Sequence, residues 1–323
     1  MSAARSLPRV SAPTIVFVHL GTELPMWLVP ALRQARFFNR CAIVLIAGSA
    51  ALDAASIPSQ LDITQVPLEE LGQGEPHREF QRLSPFDRRF RDGFWTYTSE
   101  RFFVLQTAFE RLALRDVVHV ENDILLYCPV DELVSKLSGL YPGVAATFDN
   151  DNRCVPGIVY LPSLRAIQAI CDFYLQVLQR IADSAQANGL NDMHLLGAMR
   201  AFGPYVIDHL PIVPPDYPAP LRSAVGHMVR DPSAYSRHFD ALGYIFDAAA
   251  LGQFLGGIDP RNDPRPSVGF INESCVFDPT LLRPRLTRDR DGRRIPVVET
   301  GSGVYPVANL HVHSKNPAPF LSL

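Results

Sequence analysis

Cysteine is sparse and unpaired in this chain. Cys41, Cys128, Cys154, Cys171 and Cys275 are scattered through 323 residues, with no CxxC pair. An odd, dispersed set argues against a disulfide framework and a cysteine-rich zinc site, and reduced thiols in a cytosol are the simplest account. Long apolar runs are also missing. No stretch approaches the roughly 18 apolar residues of a membrane span. The opening MSAARSLPRVSAP lacks the apolar core of a signal peptide. These absences predict a soluble cytoplasmic chain, which could still work at the inner membrane surface through its substrate. Charge of one sign is not in excess. A formal net charge of -3 offers no overall handle for nucleic acid or an anionic membrane. The phosphate loop GxxxxGK[ST] is absent. So are internal repeats and any clear linker, which predicts one domain over 1–323.

What is present is ordinary globular composition, 47% hydrophobic and 20% charged. Arginines cluster at Arg88, Arg89 and Arg91 and again at Arg283, Arg285, Arg288, Arg290, Arg293 and Arg294; a solvated face or a loose segment accounts for both. Residues 14–20 (TIVFVHL) and 41–47 (CAIVLIA) are short, continuous apolar runs, as expected of strands buried on both faces. Residues 24–39 between them read as a helix with Pro25 in its first turn. That spacing predicts a parallel βαβ unit, with 62–66 as a third strand. Residues 72–93, polar and broken by Pro76 and Pro85, read as a long loop. A helix is predicted over 99–114, capped by Thr98 or Ser99, with Phe102, Leu105, Phe109 and Leu112 at helical spacing. Strands follow at 116–121, 143–148 and 157–161, and helices at 129–140, 164–181 and 191–200. Beyond Phe202 prolines and glycines crowd, and the remainder reads as a loop-rich flank.

Five places carry candidate chemistry. Glu121-Asn122-Asp123 ends the apolar strand 117–120, where open α/β sheets bind ligands. Carboxylates at i and i+2 across a turn suit a hard divalent cation that also takes phosphate oxygens, although a surface turn would look the same. His311 and His313 alternate, so in a strand they share one face; either could ligate a metal, and Lys315 could neutralise phosphate. Asn191-Asp192 opens a helix, as an N-cap or as a group in the cleft. Gly257 and Asp259 lie in a glycine-bearing turn that could meet an acceptor. In 94–101, Arg101 could reach a diphosphate or pair with an acid, and Trp95 and Tyr97 could stack on a base or sugar.

The block 98–133 runs helix, apolar strand, acidic triplet, apolar stretch, then Asp131-Glu132-Leu133. This order resembles the centre of GT-A-fold glycosyltransferases, where a DxD motif holds a divalent cation on the donor diphosphate. Here the first acid is Glu121. The resemblance implies an α/β, GT-A-like domain with a mixed, mostly parallel sheet, its nucleotide-binding half at 1–123 and its acceptor-binding half at 124–323. It implies a nucleotide-sugar donor, by family habit a uridine diphosphate sugar, with manganese or magnesium on the diphosphate. Asp123 and one of His311 and His313 would bind the metal, with His311 preferred, and Lys315 would face the leaving group. His19, Gly21, Thr22, Glu121 and Asn122 would flank the nucleotide. Asn191, Gly257 and Asp259 would meet a glycan or lipid-linked acceptor of polysaccharide biosynthesis. The His/Lys segment is similar to that of retaining members; an inverting enzyme would use Asp192 as general base.

Three other classes compete. A sugar nucleotidyltransferase would carry a glycine-rich basic loop after the first strand, and 20–24 reads LGTEL. A non-catalytic nucleotide- or carbohydrate-binding protein would need no metal. A metal-dependent phosphohydrolase fits the sparse His and Asp pairs poorly.

Overall fold

A computed structural model describes residues 7–86, 89–181, 190–202, 207–222, 229–265 and 267–322. Arg88 of the first basic cluster lies outside them. The expected mixed, mostly parallel sheet is present. Its seven strands run β3-β2-β1-β4-β7-β6-β8. They are β1 (Thr14–Val18), β2 (Ala42–Ala47), β3 (Ile63–Pro67), β4 (Val117–Val120), β6 (Val144–Asn150), β7 (Arg153–Leu161) and β8 (Ile207–His209). The β3-β2-β1-β4 half is parallel, and β7 runs antiparallel to both β4 and β6. Continuous apolar sequence marks the middle of this sheet: Ile43 to Ala47 of β2 are all 0% exposed. Such runs require cover on both faces. Helices Glu75–Leu83, Phe94–Arg111 and Leu164–Ile181 pack on one another. Their buried stripes include Phe80, Phe103 and Tyr174.

A second sheet was not foreseen. It orders β10 (Arg285–Arg288), β11 (Arg294–Glu299), β12 (Val304–His311) and β5 (Ile124–Leu126), with β9 (Ile245–Phe246) also on β12. The C-terminal part is therefore structured around β12 and is more than a loop-rich flank.

Several predicted boundaries move for identifiable reasons. The first helix is Leu28–Phe38; residues 24–27 form its approach, with Leu28 N–H donating to Pro25 O at 2.9 Å. Residues 72–93 are not one loop. Pro76 opens the helix Glu75–Leu83, since proline in a first turn gives up no needed hydrogen bond. The next helix starts at Phe94, behind Gly93 at φ 90°. Thr98 therefore lies inside it and donates to Trp95 O instead of capping. Helix 164–181 stands as expected. Among the described residues, no helix is long and apolar enough to cross a membrane.

Candidate active site

Register builds the site. β1 and β4 are parallel neighbours, with Phe17 opposite Val120, so both C-terminal ends emerge on one side. His19 and Gly21 follow the first end and Glu121-Asn122-Asp123 the second. The chain then leaves the first sheet and enters the other as β5. There Ile124 pairs antiparallel with His311, and Val312 N–H donates to Asp123 O at 2.9 Å. The last strand of the second sheet thus delivers its histidine to the acidic turn of the first. A cavity of about 510 Å³ opens at this junction.

Glu121, Asp123 and His311 offer ligand atoms all within 4.8 Å of one another. His311 Nε2 lies 3.2 Å from Asp123 Oδ2 and 3.8 Å from Glu121 Oε2. Its Nδ1 faces Ala248 O at 2.9 Å, which makes Nδ1 the donor and aims Nε2 at the acids. Lys315 Nζ also contacts Asp123 Oδ2. Burial alone would raise the Asp123 carboxyl, but Lys315 and His311 together hold it well below its usual range. Burial would likewise lower His311, and the Asp123 charge overcomes this, lifting it to about 9. Two positive groups therefore converge on one buried carboxylate. That donor set, two carboxylates and one oriented imidazole, fits a manganese- or magnesium-type ion. Lys315 reaches the cluster from a left-handed backbone at φ 61°, a conformation a non-glycine residue holds at some cost. Its ammonium also lies 5.6 Å from the Trp27 ring centroid.

Arg101 joins the cluster to the neighbouring helix. It is 6% exposed and pairs with Glu121 through Nη1 and with Asp192 through Nη2 at 2.9 Å. Of the two roles open to it, pairing with cleft acids is the one seen, and it leaves Glu121 Oε2 for an ion. Asp192 lines the cavity. Burial raises its carboxyl to about 6, against the pull of Arg101. Asn191 does not line the cavity; its side chain caps the helix Asp192–Phe202 by accepting from His194 N–H at 3.1 Å.

On the β1 side, His19 Nδ1 lies 3.1 Å from Asn122 Nδ2, tying the first loop to the acidic turn. His19, Gly21 and Asn122 line the cavity, whereas Thr22 is exposed and lies outside its lining. His313 lines it too, but not as a member of the acidic cluster. The strand ends at His311, so the alternation expected of the pair stops there. His313 Nδ1 instead accepts from Asp259 N–H at 2.9 Å, and burial lowers the ring to about 4. Asp259 is 3% exposed and accepts from Arg261 Nη2 at 2.6 Å. Gly257, at φ 83°, turns the chain after helix Ala250–Gly256 and does not line the cavity. Trp95 and Tyr97 do, with Trp95 stacked 6.1 Å from Phe90.

Two contributors escaped the sequence reading. Asp247 is 1% exposed and accepts from Leu251 N–H, Gly252 N–H and His311 N–H at 2.9, 2.9 and 3.0 Å. It caps a helix and holds the strand end whose histidine faces the two acids. An Asp just before the run AAALGQ was the available signal. Gly157 is the other: a Cβ there would meet Ile124 Cδ1 at 2.9 Å and His311 Nδ1 at 3.2 Å. Nothing local in GIVYL announces that approach.

No family model and no curated protein matches this chain. Solved structures do match, each over 61% of this chain. Mouse xyloside xylosyltransferase 1 in its apo form is similar at 11% identity over 84% of its own length, with a TM-score of 0.44. The PaToxG glycosyltransferase is similar at 9% identity over 71% of its length, with a TM-score of 0.41. The galactosyltransferase LgtC, in complex with donor and acceptor sugar analogs, is similar at 11% identity over 73% of its length, with a TM-score of 0.38. All three are glycosyltransferases, and the likeness is one of fold.

Proposed function

We propose that this protein transfers a sugar from a nucleotide-sugar donor to a hydroxyl of a glycan or lipid-linked glycan, with a divalent cation on the donor diphosphate. One observation carries the reading. Asp123, Glu121 and His311 converge beyond the C-terminal ends of β1 and β4, and Lys315 stands at the same carboxylate. Glu121, Asp123 and His311 would hold the ion, which when bound supplies Lewis-acid stabilisation of the diphosphate leaving group. Lys315 would place a second positive charge there. Arg101 is a positioning residue that fixes Glu121 and Asp192. His19 and Gly21 would border the nucleotide, for which uridine diphosphate is the first choice. Asp259 would border the acceptor.

Retention of anomeric configuration is the favoured course. Asp192 is 2% exposed and already accepts from Arg101, which leaves it poorly placed to take a proton from an acceptor. The inverting alternative has one observation behind it: the Asp192 carboxyl is raised to about 6, nearer the working range of a general base. The test of the reading is a calorimetric panel of nucleoside diphosphates with and without manganese. Tight, manganese-dependent binding of one of them is expected and names the nucleotide. Binding that ignores the metal would favour a non-catalytic binding protein, and no binding at all would overturn the donor site.

A further inference from the structure

Away from the metal cluster, the cavity lining carries three cationic groups that the chemistry above does not use. Arg91 and Arg261 are hydrogen-bonded to Asn262 and Asp259, whereas Arg153 has no side-chain hydrogen bond among the described residues. Arg153 begins β7 and lines the cavity with a side chain 27% exposed. Its only charged partner among the described residues is Asp149, with Nε 3.4 Å from Oδ2. The contact is poor as a hydrogen bond: Arg153 Nε and both Asp149 oxygens are buried without hydrogen-bond partners. Asp149 is 0% exposed, and burial, opposed by Arg153, lifts its carboxyl to about 7. The counter-charge behind Arg153 is therefore incomplete at neutral pH. Neither terminal amino group of the guanidinium donates to a described protein group. A planar donor fork of this kind is suited to a carboxylate or phosphate.

Position decides what the fork faces. Arg153, Val155 and Pro156 of β7 line the cavity, in a stretch where the pairing of β7 with β6 is irregular. Gly157 is the residue that abuts His311 and Glu121. Arg153 is four positions earlier in the strand, at most about 13 Å away at roughly 3.3 Å per residue. The metal cluster thus lies beside Gly157, and Arg153 lies further along the same strand, where β7 begins opposite Asn150. A diphosphate at the cluster leaves the Arg153 side to the other substrate.

We propose that Arg153, backed by Asp149, binds an anionic group of the acceptor, so that the acceptor is an acidic sugar bearing a carboxylate or phosphate. This rests on the transferase reading for the word acceptor, but the anion site stands on its own contacts. It is tested by binding rather than turnover. Methyl β-glucuronide, glucose 6-phosphate and the neutral methyl β-glucoside are titrated by ligand-observed NMR into wild type, Arg153→Gln, Arg153→Lys, Asp149→Asn and Lys315→Gln.

Wild type is expected to hold at least one acidic sugar about tenfold tighter than the neutral one, and the better of the two distinguishes carboxylate from phosphate. Arg153→Gln should erase the preference and Arg153→Lys should keep part of it. Asp149→Asn should increase it, since the guanidinium charge is no longer shared, an effect a merely structural pair would not produce. Lys315→Gln should leave it in place. No preference in wild type, a preference that survives Arg153→Gln, or one lost in Lys315→Gln instead would each overturn the proposal. Failure of the donor reading would appear separately, as absent manganese-dependent nucleotide binding.

Discussion

Replacing Asp247 with Asn should weaken both the fold and the candidate metal site. The carboxylate accepts three buried N–H groups: Oδ1 takes Leu251, and Oδ2 takes Gly252 and His311. An Asn has one acceptor oxygen. If it serves Gly252 and His311, its amino group is forced against the Leu251 N–H. One hydrogen bond to a charged group is then lost and one buried donor is left unpaired, at about 2–4 kcal/mol after relief of carboxylate burial. Unfolding entropy near 2 cal/mol/K per residue makes 1 kcal/mol worth about 1.5 °C in a chain of 323 residues. The melting temperature should therefore fall by about 3–6 °C. The local effect is larger in kind, because His311 loses a backbone anchor and its Nε2 drifts from Asp123. Misorienting a ligand through its supporting contacts costs about 10–100-fold in metal affinity. Free manganese counted by electron paramagnetic resonance reads this directly. Asp231→Ala is the control, since Asp231 caps Ser233 on the surface and its loss should cost about 1 kcal/mol with no effect on manganese. Should Asp247→Asn lower the melting temperature and leave manganese affinity untouched, Asp247 is a helix cap and the strand-anchoring argument is wrong.

The remaining expectations concern the cluster itself. Asp123→Ala should abolish manganese-dependent nucleotide binding while circular dichroism stays unchanged; retained binding would sink the metal assignment. His311→Ala should lose most metal affinity and His313→Ala much less, because His313 is turned toward Asp259; equal, mild losses would return both to a structural role. With its ring lifted to about 9, His311 carries a proton in the ion-free protein at neutral pH. An ion can take Nε2 only after that proton leaves, so manganese affinity should climb about tenfold per pH unit from about 6 to 8 and flatten near 9. A flat profile, or no proton release in buffers of different ionisation enthalpy, contradicts this. Gly157→Ala should cut manganese affinity because its Cβ would press Ile124 and His311, whereas Gly139→Ala, with nothing within 4 Å, should stabilise its helix by about 0.5–1 kcal/mol.

Continuous β-branched and aliphatic runs made the parallel half of the main sheet legible, because strands covered on both faces need no polar alternation. The Leu164–Ile181 helix was legible for the complementary reason, a clean apolar stripe at helical spacing. Misreadings gathered where one residue type has two meanings. Pro76 is a breaker inside a helix and a starter in its first turn, and only burial of His77 and Phe80 shows which applies. The second sheet was harder still. Its strands are short or partly exposed, as in β10, and β5 contributes only three residues. They hold together by pairing across long stretches of chain, which no local window contains.

The site shows the same division in sharper form. Each half was visible alone: two acids at the end of an apolar strand, and two histidines with a lysine near the other end of the chain. What joins them is the pairing of Ile124 with His311, and nothing in either segment specifies it. The choice between the histidines also depends on where β12 stops. Had the strand run two residues further, His311 and His313 would share a face and both could approach Asp123. Asp247 stands where the strand stops. By accepting the His311 N–H while capping the helix Ala250–Gly256, it occupies the edge along which the strand would continue. The backbone then turns, His313 N–H bonding His311 O at 2.8 Å, and the second imidazole goes to Asp259. One buried carboxylate outside the cluster thus anchors the strand end whose imidazole faces the acids.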